Sequence, residues 1–218
     1  MALIFDLDGT LLDTLASLAN SFNRSLGTLG MPTHPVNDYR YFIGDGLRNC
    51  VIRCLGNAAT EQNIERLTEI QLADYRQTWR DDALPYPGIE SLLDVLGQDN
   101  VPMAVLSNKP HQFVVQIMDY FFPDTRFHPV MGHRPGYAHK PDPTTALLIA
   151  DEFNIKPSQV AFVGDTRADI ETAVNAGMHP VGVLWGFREF TELESAGATD
   201  IIGSVSYTHL TLPTNREV

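Results

Sequence analysis

Asp6 and Asp8 stand two residues apart at the end of the apolar run Ala2-Leu3-Ile4-Phe5, with Gly9 directly after them. On an extended backbone, acids at i and i+2 project to one side and can converge on a ligand, while Leu7 between them turns into the core. Two converging carboxylates can divide labour, one as nucleophile and the other as general acid and base, if a cation keeps the first ionised. Gly9 frees the turn sterically and is expected to bring backbone N–H groups toward an anion. An acid–glycine pair after an apolar run is also ordinary turn chemistry. The weight therefore falls on the rest of the chain.

Three further polar signals close apolar runs in the same way. Met103-Ala104-Val105-Leu106 leads to Ser107-Asn108-Lys109-Pro110, and Val160-Ala161-Phe162-Val163-Gly164 leads to Asp165, with Asp169 four residues on. Lys140 sits in His139-Lys140-Pro141-Asp142-Pro143, just before an apolar-periodic stretch. In an open parallel sheet the carboxyl ends of the strands face one crevice, so all four signals can share one edge. An acid pair, a small hydroxyl, a lysine and a second acid cluster are the parts of a magnesium-dependent phosphoryl-transfer site. Read blandly, Ser107-Asn108 is a turn, Lys140 a solvated loop lysine, and Asp165 and Asp169 an N-cap and a first-turn acid. Arg167 and Lys109 read as surface charges near the mouth of the site.

Asp6-Leu7-Asp8-Gly9-Thr10, Ser107-Asn108, Lys140 and Gly164-Asp165-Thr166-Arg167-Ala168-Asp169 occur in the order of the four motifs of the haloacid dehalogenase superfamily. The chain resembles its phosphatases, in the phosphoglycolate phosphatase-like branch with a helical cap. The resemblance implies that Asp6 attacks phosphorus and that Asp8 protonates the leaving oxygen and later activates water. It implies Mg²⁺ held by Asp6, the Asp8 carbonyl and Asp165, with Ser107 and the Asn108 N–H on the phosphoryl oxygens and Lys140 offsetting charge. Asp169 is read as a group behind the metal that orients Lys140. The substrate implied is a small phosphomonoester, 2-phosphoglycolate foremost, with a sugar-phosphate phosphatase or phosphomutase as alternatives on the same core. A non-catalytic phosphate-binding regulator is the remote alternative.

These residues need a scaffold, and the periodicity supplies one. From Leu12 to Tyr75 apolar residues keep helical spacing with no strand pattern between, which predicts an all-helical cap of four or five helices over residues 14–82. Short strands then alternate with helices, predicting an α/β core, a Rossmann-like doubly wound parallel sheet, from residues 1–13 and 83–203. An insert directly after the first strand is placed to close over the crevice. Within it, Gly44 and Gly46 would let the loop approach a ligand, and Arg48 is expected to pair with a carboxylate or second phosphate on the substrate.

Composition excludes other classes. The chain has 218 residues, 44% hydrophobic and 19% charged, which is globular in character. A net charge of −12 with no basic run argues against nucleic-acid or anionic-membrane partners. It also repels a phosphorylated substrate at long range, so local cations must dominate the site. No apolar run reaches membrane-spanning length, and a cytoplasmic monomer or homodimer is expected. Cys50 and Cys54, with no second ligand pair, read as buried reduced thiols. The first strand begins at Ala2 without the short lead usual in the superfamily, which points to a start upstream. The run from Ser206 to Val218 breaks the pattern and resembles translated adapter read-through, so residues 204–218 are read as a non-native tail.

Overall fold

The computed structural model describes residues 1–125 and 127–205. Most of the tail reading, at 206–218, falls outside them. Strand β1 (Ala2–Phe5) lies at the centre of a six-stranded parallel sheet of order β5-β4-β1-β6-β7-β8, with β4 Met103–Pro110, β5 Phe127–His133, β6 Val160–Gly164, β7 His179–Val183 and β8 Asp200–Ile202. The chain winds outward from β1 first through β4 and β5, then through β6, β7 and β8. The reversal leaves a crevice at the carboxyl ends of β1, β4 and β6.

Side-chain alternation explains the two layers. Leu3 and Phe5 pack into one apolar cluster with helices α5 (Ile89–Gln98) and α6 (His111–Phe121), through Leu92, Phe113 and Ile117. Ala2 and Ile4 pack into the other with α7 (Thr144–Glu152) and α8 (Arg167–Ala176), through Ile149 and Ala173. Every residue of β1 is buried, as a strand covered on both faces requires.

The insert contains α1 (Leu15–Thr28), α2 (Tyr39–Phe42), α3 (Leu47–Leu55) and α4 (Glu61–Thr78), four helices with two short 3₁₀ turns. Its two ends are stitched by an antiparallel pair, β2 (Leu12–Asp13) against β3 (Leu84–Pro85), which fixes where the chain leaves and rejoins the core. Two features depart from expectation. The strand expected to stop at Leu106 runs on as β4 to Pro110, so Ser107, Asn108 and Lys109 belong to the sheet edge. Helix α9 (Phe190–Ala196) has no counterpart in the sequence reading, because it buries only Leu193 and so carries too weak an apolar stripe.

Candidate active site

The sheet brings Asp6, Asp8, Ser107, Asn108, Lys140, Asp165 and Asp169 together, all buried. Lys140 is the hub. Its ammonium lies 2.8 Å from Asp6 Oδ1 and 2.5 Å from Asp169 Oδ1, and it donates to the Leu106 carbonyl at 3.0 Å. Burial draws the Lys140 ammonium toward neutrality, but Asp169 and Asp6 outweigh it and hold the proton more firmly than usual. Asp169 is committed elsewhere as well: its Oδ2 accepts from Thr166 N at 2.9 Å and Thr166 Oγ1 at 2.8 Å, closing a capping box at the start of α8. Asp169 therefore anchors Lys140 while capping its own helix, so the bland and the functional readings hold together.

Asp165 accepts from Thr10 Oγ1 at 3.0 Å and from Phe187 N at 2.8 Å. Burial and then the neighbouring charges of Asp169 and Asp6 push its carboxyl well above the usual range. Asp6 is pushed up to about 7, mainly by burial, against the pull of Lys140. Asp6 Oδ1 touches Lys140 yet makes no aligned hydrogen bond. Asp6, Asp165 and Asp169 offer oxygens within 4.8 Å of one another. Three buried acids against one ammonium leave an excess of two negative charges when all are ionised. That deficit, with an unsatisfied carboxylate oxygen, fits a hard divalent cation that oxygen ligands prefer. Thermal melts should therefore show stabilisation by Mg²⁺ that is larger at pH 8 than at pH 6. Without the cation, the raised Asp6 carboxyl loses folded-state stability as pH rises through about 7, and that loss is what the cation relieves.

Several sequence expectations change here. Lys109 is not a surface charge. It is 8% exposed, its Nζ donates to Asp8 Oδ1 at 2.9 Å and Oδ2 at 3.0 Å, and Thr14 Oγ1 adds a bond to Asp8 Oδ1 at 2.8 Å. Burial alone would lower the Lys109 pKa, but Asp8 and Tyr75 raise it. Gly9 does not offer its N–H to an anion, since that group donates to the Leu12 carbonyl at 2.8 Å. Gly9 is needed instead for its φ of +89° and because a side chain there would run into Asp165.

Arg48 does not face the crevice. It is held by both carboxylate oxygens of Glu61 at 2.7–2.8 Å on an exposed surface. Arg48→Ala should thus change kcat/KM by less than about twofold on any substrate and stability by under about 1 kcal/mol, the scale of exposed ion pairs, as steady-state assays and urea melts will read. Arg167 is a surface charge, paired with Glu171 at 3.1 Å.

Asn108 ties the cap to the core. Its Nδ2 donates to the Gly44 carbonyl at 2.9 Å and its Oδ1 accepts from Lys140 N at 2.8 Å. Arg40 and Arg188, which the sequence reading passed over, do the same, donating to the carbonyls of Gly186 at 2.8 Å and Ile43 at 2.9 Å. Between cap and core lies a cavity. Asp6, Asp8, Ser107 and Asn108 line its floor, and Gly44, Gly46 and Leu47 line its cap side.

An acid pair at the end of the central strand, a lysine-bridged acid cluster beside it and a helical cap over both define a capped enzyme of α/β class built for phosphoryl chemistry. The chain belongs to the haloacid dehalogenase-like hydrolases, whose family model matches residues 3–183, and it is a phosphoric monoester hydrolase. It is 31% identical to the phosphoglycolate phosphatase of Psychrobacter arcticus over 94% of this chain and 92% of that protein. It is 30% identical to the phosphoglycolate phosphatase of Pseudomonas putida over 91% and 75%. Among solved structures, a predicted phosphoglycolate phosphatase from Haemophilus somnus superposes with a TM-score of 0.87 at 27% identity, covering 94% of this chain and 95% of that one. Among the described residues no helix is long and apolar enough to cross a membrane.

Proposed function

We propose that this enzyme is a Mg²⁺-dependent phosphatase of small phosphomonoesters, with 2-phosphoglycolate as the leading substrate, working through an aspartyl-phosphate on Asp6. The observation that carries the reading is the division of the two acids. Asp6 shares Lys140 with the acid cluster, whereas Asp8 belongs to a separate ion pair with Lys109 on the cap side. One carboxylate thus faces the phosphoryl charge and the other faces the leaving group.

In the first step an Asp6 oxygen bonds to phosphorus as the ester P–O bond breaks, and Asp8 gives a proton to the departing alkoxide. In the second, a water gives its proton to Asp8 and its oxygen bonds to phosphorus. The P–O bond to Asp6 then breaks, releasing inorganic phosphate. Lys140 offsets the repulsion between the Asp6 carboxylate and a phosphate dianion in a poorly hydrated site, where such charges act strongly. The Ser107 hydroxyl and the Asn108 backbone N–H are assigned to the phosphoryl oxygens. This is compatible with the Asn108 side chain being spent on Gly44 and Lys140. Asp6, Asp165 and the Asp8 carbonyl would hold Mg²⁺, which supplies positive charge at the transferring phosphoryl group.

A small ester suits a cavity whose wall beyond the floor is largely apolar, from Leu18, Phe22, Ile43, Leu47, Leu72 and Phe113. The same reading gives a small phosphorylated metabolite as the partner of a cytoplasmic monomer or homodimer. A phosphate-release screen over 2-phosphoglycolate, hexose phosphates, nucleotides and pyrophosphate tests it. The expected result is Mg²⁺-dependent turnover with kcat/KM highest for 2-phosphoglycolate. Preference for a hexose phosphate, or no turnover at all, would overturn it.

A further inference from the structure

Tyr75, on α4 of the cap, is 2% exposed and lines the cavity above Asp8, yet its hydroxyl makes no hydrogen bond. Its polar neighbours are Lys109 and Ser17. Both lie close enough to interact with the hydroxyl, but neither makes an aligned hydrogen bond to it: Ser17 Oγ donates to the Trp79 carbonyl at 3.3 Å, and Lys109 Nζ, 4.8 Å from the ring centroid, is directed at Asp8. A buried hydroxyl without a partner is costly, and its persistence beside a cavity calls for a partner from outside the chain. Lys109 is similarly incomplete. An ammonium has three N–H donors, and Asp8 takes two of them. The rest of the wall around this point is mostly apolar, from Leu18, Phe22, Leu72 and Phe113, and the amide of Gln71 there donates to Ser21 Oγ at 3.4 Å.

We propose that Lys109 and Tyr75 form the subsite for a carboxylate on the leaving group, so that the preferred substrates are phosphate esters of 2-hydroxy acids. The inference rests on the phosphatase reading above and assigns to this pair the role expected of Arg48. Geometry within the substrate supports it. In such an ester the carboxylate carbon is one carbon from the bridging oxygen, which must lie within hydrogen-bond reach of Asp8. A carboxylate there falls beside the ammonium that Asp8 already holds within 3.0 Å. Lys109 is thus asked both to seat the general acid and to read the group next to the bond being broken. Tyr75 adds a neutral donor to the same carboxylate.

Tyr75→Phe tests the subsite, because it removes only the unbonded hydroxyl and should melt at or above the wild-type temperature. The readout is the kcat/KM for 2-phosphoglycolate divided by that for 2-hydroxyethyl phosphate, a near-isostere with a neutral end. The quotient cancels any loss of folded enzyme. It should fall about tenfold or more in Tyr75→Phe, the scale of a hydrogen bond to a charged group. Lys109→Met should lower turnover of both esters, because Asp8 loses its partner, and should lower the quotient further. An unchanged quotient in Tyr75→Phe would overturn the subsite. So would a wild-type enzyme that hydrolyses both esters equally, and in either case the phosphatase reading stands. A protein inert toward every monoester, p-nitrophenyl phosphate included, would overturn both.

Discussion

Asp6→Asn is expected to abolish hydrolysis, with a loss of roughly 10⁴-fold or more in kcat on every substrate, because the amide cannot form the covalent intermediate. The fold should survive. Asn keeps the shape of the side chain, and the change relieves the excess of negative charge among Asp6, Asp165 and Asp169 around Lys140. The variant should melt no lower than wild type in the absence of divalent cations, since it removes a carboxylate that burial pushes up to about 7. It should also gain less from added Mg²⁺. Substantial Mg²⁺-dependent turnover by a folded Asp6→Asn protein would rule out Asp6 as nucleophile.

The acids of this site were legible because residue type and local structure agree there. Carboxylates are rare at the ends of fully buried strands, and Asp6, Asp8 and Asp165 each stand at such an end. Lys140 was legible only in company, as a lysine four residues before a core helix in a chain that already offered the acids it could pair with. Lys109 was misread through a boundary error of four residues: a strand ending at Leu106 makes it a loop charge, whereas a strand running to Pro110 carries it inward to Asp8. Arg48 carried a signal that could have corrected its assignment. Val51 and Cys54 are buried on α3, and Leu47 lines the cavity. One residue on from Leu47, about 100° around the helix, Arg48 lies toward the edge of that face and not at its centre. Tyr75 could not be found from periodicity, which assigns it to the packed face of α4 and says nothing of whether its hydroxyl is satisfied. The cap-to-core bonds of Arg40 and Arg188 go to backbone carbonyls across more than a hundred residues, and no local pattern marks such partners.

Asp8→Asn should separate the two halves of the reaction by leaving group. Departure of an alkoxide such as glycolate needs a proton, so the first step on 2-phosphoglycolate should slow by roughly 10²–10⁴-fold, the range of general-acid contributions. An activated aryl phosphate leaves with little help, and its first step should slow much less. Water attack on the phospho-enzyme still needs Asp8 as base. A burst of p-nitrophenol followed by slow turnover is therefore expected in the variant, with phosphorylated protein accumulating and detectable by mass after rapid acid quench. The pairing with Lys109 adds a structural consequence. The amide oxygen of Asn can accept one bond from the buried ammonium where the carboxylate accepted two, at 2.9 and 3.0 Å, and it carries no charge. Breaking a buried pair in this way costs on the order of 1–3 kcal/mol in stability, which urea melts will measure. Lys109→Met on top of Asp8→Asn should recover much of that stability without recovering activity, because both partners are then uncharged. Equal rate losses on alkyl and aryl esters with no burst would show that Asp8 acts only by holding Lys109 in place.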